Sequence, residues 1–155
     1  YCYKGYWGDM FRTCSIGEPE PGGLVDRFFH ANRTANLAGI DVIRPGIEAR
    51  KVARTVNDKL KQLGFEKEVH EILVDNDYDF IGHGGGLSLH DRPLINTQQT
   101  EILVPGMYLM MESMLTDKMP FGDAKVCIGI EDGVLVTDTG HEVLTESVSN
   151  ELFIK

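Results

Sequence analysis

The chain has 155 residues, 42% of them hydrophobic and 25% charged, which fits one domain with a real core and excludes a disordered chain. A formal net charge of -9 excludes a general nucleic-acid binder, which needs a basic face, and disfavours docking on an anionic membrane. No apolar run approaches the roughly 18 residues that a membrane-spanning helix requires.

Residues 1–15 are aromatic and β-prone and predict a strand. This start is neither a leader peptide nor an initiator sequence, so the chain is expected to be a fragment lacking an N-terminal part. Residues 16–23 hold Gly17, Pro19, Pro21, Gly22 and Gly23 and predict a loop. Over 24–37, Leu24, Phe28, Ala31 and Ala35 recur at helical spacing. Arg44-Pro45-Gly46 interrupts, because the residue before a proline is biased away from helix. A second helix is predicted over 47–63, with Val52, Val56, Leu60 and Leu63 on one stripe and Gly64 as its stop.

Residues 69–74 fit either a short helix or a strand. From Tyr78 onward the character is β. Residues 80–86 are apolar and then glycine-rich, 107–111 form an apolar run, and 126–130 and 134–136 predict two strands separated by Glu131-Asp132-Gly133. Residues 142–144 predict a further strand. Helices bracketed by strands predict an α+β layer, with helices on one face of a mostly antiparallel sheet. The three cysteines, Cys2, Cys14 and Cys127, are scattered and form no C-x-x-C pair. Reduced thiols in a cytoplasmic protein are the simplest expectation. Cys14 reads as a buried small hydrophobe, Tyr6 and Trp7 as packing residues, and His30, His70 and His141 as structural or surface residues.

Four polar residues fall at the predicted strand ends: Asp9, His83, Glu112 and Glu131. A carboxylate is costly to bury unless it is paired or bound to a cation. Three carboxylates and an imidazole suit Mn²⁺, Fe²⁺, Co²⁺ or Zn²⁺. Such a group could hold two ions and activate a water for attack on an amide. Taken alone, a strand-end acid such as Glu112 reads more readily as a solvated edge charge. The segment Gly82-His83-Gly84-Gly85-Gly86-Leu87-Ser88-Leu89-His90-Asp91 puts two histidines around a glycine run. It lacks the Lys-Ser/Thr ending of a phosphate-binding P-loop and the G-x-G-x-x-G frame of a dinucleotide site.

That segment resembles the "H-G-x-G-x-x-x-H-(E/D)" signature of the pita-bread metallopeptidases, the family of Xaa-Pro dipeptidase, aminopeptidase P, methionine aminopeptidase and creatinase. Leu103-Val104-Pro105-Gly106-Met107 followed by Glu112 resembles the family's "L-x-P-G-M…E-P" block. Ile130-Glu131-Asp132 through Thr137, with Gly140 to Thr145, resembles its "R-I-E-D-x-V-L-V-T-x-x-G-x-E-x-L-T" ending. Gly5-Tyr6-Trp7-Gly8-Asp9-Met10-Phe11-Arg12-Thr13 resembles "G-Y-x-x-D-x-x-R-T", and Ile43-Arg44-Pro45-Gly46 resembles the link between the family's helices.

The resemblance implies a curved antiparallel sheet with helices on its outer face, truncated at the N-terminal side. Residues 1–155 would be part of the catalytic domain, with the N-terminal domain and the first part of the catalytic domain absent. It implies Asp9, His83, Glu112 and Glu131 as ligands of two divalent metal ions, Mn²⁺ first, with Co²⁺, Zn²⁺ or Fe²⁺ as alternatives. It implies His90 as the imidazole that binds substrate and steadies the tetrahedral intermediate, and Glu112 as proton shuttle. Tyr78, five residues before His83, reads as either a substrate-binding residue of the pocket or a core residue. The substrate would be a peptide or small amide, and the intact protein a homodimer.

The activity implied is Xaa-Pro peptidase. The alternatives are a small-molecule hydrolase or lyase on the same fold (creatinase-like, ectoine hydrolase-like or sulfoniopropionate lyase-like) and a binding module without catalysis. The family's first ligand, an Asp roughly eleven residues before the position of Asp9, would precede Tyr1. The chain alone is therefore expected to be inactive and not to assemble a complete dinuclear site. Gly129 stands where many members have Arg, removing a cation that steadies carboxylates. Ser113 stands where Pro usually follows the Glu.

Overall fold

The computed structural model describes residues 1–66, 80–117, 126–148 and 151–152. Its elements are β1 (Cys2–Tyr3), β2 (Tyr6–Trp7), α1 (Leu24–Asp41), α2 (Ala49–Gln62), β3 (His83–Gly84), β4 (Asp91–Leu94), β5 (Tyr108–Thr116), β6 (Cys127–Val136) and β7 (His141–Val143). The alternative over 69–74, His70 and Tyr78 lie outside the described residues.

α1 buries Phe28, Phe29, Ala31, Asn32, Ala35, Asn36, Gly39 and Ile40, a stripe at the i, i+3, i+4 spacing of a core-facing helix. It runs four residues past the predicted end because Leu37 is followed by residues that keep this stripe going to Ile40. α2 buries Ala49, Val52, Ala53, Val56, Asn57 and Leu60. Its first N–H groups have no side-chain cap. Loop carbonyls take that role: Ala49 N–H donates to Glu101 O at 2.9 Å and Arg50 N–H to Gln99 O at 2.8 Å. At the other end Gly64 adopts φ +87°, the left-handed conformation a helix stop favours. The two helices cross closely at Gly39, where a Cβ would fall 2.4 Å from Val56 Cγ2.

The main sheet is antiparallel throughout, in the order β4-β3-β5-β6-β7. Successive residues of a strand point to opposite faces. Leu109, Met111 and Leu115 of β5 and Ile128, Ile130, Val134 and Val136 of β6 form the core under the helices. Two buried asparagines of α1 stitch the layers together. Asn32 Nδ2 donates to Ser113 O (2.9 Å) and Ile128 O (3.1 Å), and Asn36 Nδ2 to Met111 O (3.3 Å). The α+β layering is therefore as expected. Among the described residues, no helix is long and apolar enough to cross a membrane.

Several local expectations change. Residues 1–15 do not form one strand: they make the short hairpin β1–β2, turned at Lys4 and Gly5 (φ 52° and 88°), followed by an irregular stretch. That stretch touches the main sheet through an Arg12–Ile130 bridge. Tyr6 and Trp7 are exposed rather than packed, at 64% and 40%, and Cys14 is exposed as well. The two strands predicted at 126–130 and 134–136 are one strand, β6, so Glu131 and Asp132 are mid-strand and not in a turn. Pairing of Asp132 and Gly133 with Met111 and Met110 of β5 overrides the turn preference of Asp-Gly. β4, with Arg92-Pro93, was not expected, and its proline fits because the strand lies at the sheet edge.

Candidate metal centre

The pairing of the strands builds the site on the face that the helices leave free. Glu112 of β5 lies directly opposite Glu131 of β6, and His83 of β3 pairs with Met110 of β5. Met110 and Glu112 are two residues apart, so His83, Glu112 and Glu131 project from the same face. The loop after β3 returns His90 to this cluster, its ring centroid 4.4 Å from that of His83 at 85°. Phe80 braces both rings edge-on, at 5.7 Å from His83 and 5.4 Å from His90. Side-chain ligand atoms of His83, His90 and Glu112 all lie within 4.8 Å of one another.

Asp9 arrives from the irregular stretch after β2. Trp7 N–H donates to Gly86 O (2.8 Å), Glu131 N–H to Phe11 O (3.0 Å) and Thr13 N–H to Gly129 O (3.1 Å). Asp9 thus hangs between the glycine loop and the middle of β6. Its Oδ1 accepts the Met10 N–H at 2.9 Å. The glycine run is required here: a Cβ on Gly84 would fall 2.1 Å from Arg92 O, and one on Gly85 2.4 Å from Met110 Cε.

His83 is fully buried. Its Nδ1 lies 3.0 Å from Gly84 O, and a carbonyl can only accept, so Nδ1 carries the proton. Nε2 then offers a lone pair toward Glu112 Oε1 at 3.8 Å, too long for a hydrogen bond. Burial lowers the His83 pKa, and His90 adds to that; the Gly84 carbonyl and Asp9 act in the opposite sense. Glu131 is fully buried, and among the described residues neither of its carboxyl oxygens has a hydrogen-bond partner; nor does His83 Nε2.

Burial, with the Asp9 carboxylate, pushes Glu112 up to about 7. Burial, then Asp9, Glu112 and Asp132, push Glu131 up to about 8, while Arg12 pulls it back. Buried acids that repel one another and lack donors are what a cation site looks like without its charge counted. The donors fit a hard or borderline divalent ion: carboxylate oxygens and an imidazole with its second nitrogen tied to a carbonyl.

Of the residues expected at the site, Asp9, His83, His90, Glu112 and Glu131 share one neighbourhood. Ser113 points its side chain away, into the helix layer, because it alternates with Glu112. Gly129 is covered by the Phe11 ring, whose Cε2 would be 2.2 Å from a Cβ there. Phe80 was missed, and an aromatic three residues before His83 was the available signal. Arg12, Asp132 and Thr145 stood inside the quoted motifs without a role; the structure joins them in one network.

An antiparallel sheet backed by two helices, with a carboxylate–imidazole cluster on its other face, is the pita-bread architecture of metallopeptidases. The model of Metallopeptidase family M24 matches residues 1–138. The chain is 33% identical over 154 residues to the "Probable dipeptidase PepE" of Mycobacterium tuberculosis, covering 94% of this chain and 37% of that protein. Among solved structures, it superposes on dipeptidase PepE from Mycobacterium ulcerans with a TM-score of 0.78 at 28% identity, covering 97% of this chain and 37% of that one. It superposes on Xaa-Pro dipeptidase from Bacillus anthracis with a TM-score of 0.79 at 26% identity, covering 98% and 39%. The chain belongs to metallopeptidase family M24, and it spans 37% of the length of the curated relatives it matches.

Proposed function

We propose that the 155 residues carry part of the catalytic domain of a metal-dependent Xaa-Pro peptidase, a dipeptidase or aminopeptidase. In this reading Asp9, His83, Glu112 and Glu131 hold divalent ions, two in the intact protein, with Mn²⁺ preferred over Co²⁺, Zn²⁺ or Fe²⁺. One observation carries it: buried Glu131 faces Glu112 across β5–β6 beside a buried, proton-free His83 Nε2, and among the described residues none donates to any of these three orphaned atoms. Family membership and the similarity to dipeptidases support it.

The bound ions would supply positive charge that polarises an amide carbonyl and makes water a nucleophile at neutral pH. The chain's own residues do the rest. Glu112, at the solvent side of the carboxylate pair, takes the proton from the attacking water and returns it to the leaving amine. His90, exposed beside His83, donates a hydrogen bond to the carbonyl oxygen as negative charge develops there. Phe80 packs edge-on against both imidazoles. The intact protein would act in the cytoplasm as a homodimer on peptide substrates, with neither nucleic acid nor membrane as partner.

The test is to titrate the protein with Mn²⁺ and then to assay its full-length form on Xaa-Pro dipeptides and on small amides. Metal uptake with cleavage of the dipeptides supports the reading. Uptake with turnover of small amides alone transfers it to the non-peptidase branch of the fold, and no uptake ends it.

A further inference from the structure

Gly129 brings no cation to β6, and the Phe11 ring covers it. A different cation stands behind Glu131. The Arg12 guanidinium donates to the backbone carbonyls of Phe11 (3.0 Å) and Glu131, and to Asp132 Oδ1. Its side chain is only 12% exposed and that of Asp132 7%. Asp132 Oδ1 also accepts the Thr145 hydroxyl at 2.6 Å. Three separate segments therefore meet at one buried ion pair: the stretch bearing Asp9, the strand bearing Glu131, and the turn after β7.

We propose that Arg12 is a positioning residue for the metal centre, locking Asp9 to Glu131 through the Arg12–Asp132–Thr145 clamp. Asp9 is three residues before Arg12, outside any strand, and the backbone ties of its stretch to β6 are an isolated Arg12–Ile130 bridge with the bonds from Glu131 N–H to Phe11 O and from Thr13 N–H to Gly129 O, which begin two residues after Asp9. Arg12 bonds the carbonyl of Glu131 itself and the side chain of its neighbour, which ties the Asp9–Glu131 distance to a planar, always-charged group. Lysine offers only a point charge and cannot span the same acceptors. This inference rests on the metal-binding reading above.

Calorimetric titration with Mn²⁺, beside thermal unfolding in a chelator, tests it on the protein and three variants. Arg12→Lys is expected to lose at least about tenfold in Mn²⁺ affinity. Thr145→Val, a milder variant in case Arg12→Lys does not fold, is expected to lose affinity in the same direction but less. Val56→Ala, in the helix layer, is expected to lower Tm and leave Mn²⁺ affinity unchanged. Wild-type affinity in Arg12→Lys or Thr145→Val would overturn the proposal. So would a loss in Val56→Ala matching that of Arg12→Lys at equal Tm, which would reduce Arg12 to general stability. Absence of Mn²⁺ binding by the unaltered protein would remove the metal-binding reading and this inference together.

Discussion

Glu112 and Glu131 face each other directly across the β5–β6 pair, on the face opposite the helices. Like charges at opposed positions weaken an antiparallel pair by roughly 0.2–1 kcal/mol even at the surface. Here one member is fully buried and, among the described residues, its oxygens have no donor. A cation between them reverses the sign of the interaction, so stability and metal affinity become linked quantities.

The first outcome concerns pH. Both carboxyls titrate above their ordinary range, Glu112 at about 7 and Glu131 at about 8, chiefly through burial. The folded state therefore binds more protons than the unfolded chain, whose glutamates titrate near about 4.3. Their contribution to stability is complete below that value and is lost as pH rises through about 7 to 8. In a chelator, Tm should fall from about pH 5 to about pH 8, and Mn²⁺ should cancel the fall. A Tm that is flat or rises over that window would contradict the assignment.

Glu131→Gln removes the charge but keeps the shape. In a chelator at about pH 8 it should be more stable than wild type by about 1 kcal/mol, since it relieves the opposition to Glu112. Its Mn²⁺ affinity should drop by at least about tenfold. Urea unfolding and calorimetry on the same samples measure both; a variant that is destabilised and still binds Mn²⁺ normally would refute the reading.

Gly129→Ala places a methyl group 2.2 Å from Phe11 Cε2. The ring must move, at a cost of about 1–3 kcal/mol in unfolding free energy. Combining it with Phe11→Ala should cost less than the sum of the two single changes, because the clash disappears with the ring. Strict additivity would mean that the ring does not sit on Gly129.

Asn32→Ala withdraws one amide from two carbonyls, Ser113 O and Ile128 O, beneath the β5–β6 pair. The expected loss is about 1–3 kcal/mol in equilibrium unfolding. A loss under about 0.5 kcal/mol would show that these buried bonds contribute little.

Much of this was legible in residue order because it depends on local rules. The spacing of Phe28, Ala31 and Ala35, the break at Pro45 and the stop at Gly64 each reflect a backbone preference that acts within a few residues. The glycine loop between His83 and His90 was legible too, since few backbones accept such a run without a close approach. The strand reading failed where non-local pairing decides. Asp132-Gly133 invites a turn, yet pairing with Met111 and Met110 of β5, and the Leu144 N–H bond to Gly133 O, hold it in the strand. Nothing local to residues 8–15 says that they leave β2 and run as a strap against β6.

The amino-acid sequence by itself determined which groups could do chemistry and which stretches become helix, because side-chain type and short-range periodicity are written into residue order. Only the tertiary structure decided that Glu112 and Glu131 stand face to face, that His90 returns to His83, and that Arg12 reaches the back of Glu131. Those are distances between positions up to 119 residues apart in the chain, set by strand register and by which surfaces exclude water, and no neighbour-to-neighbour preference encodes them.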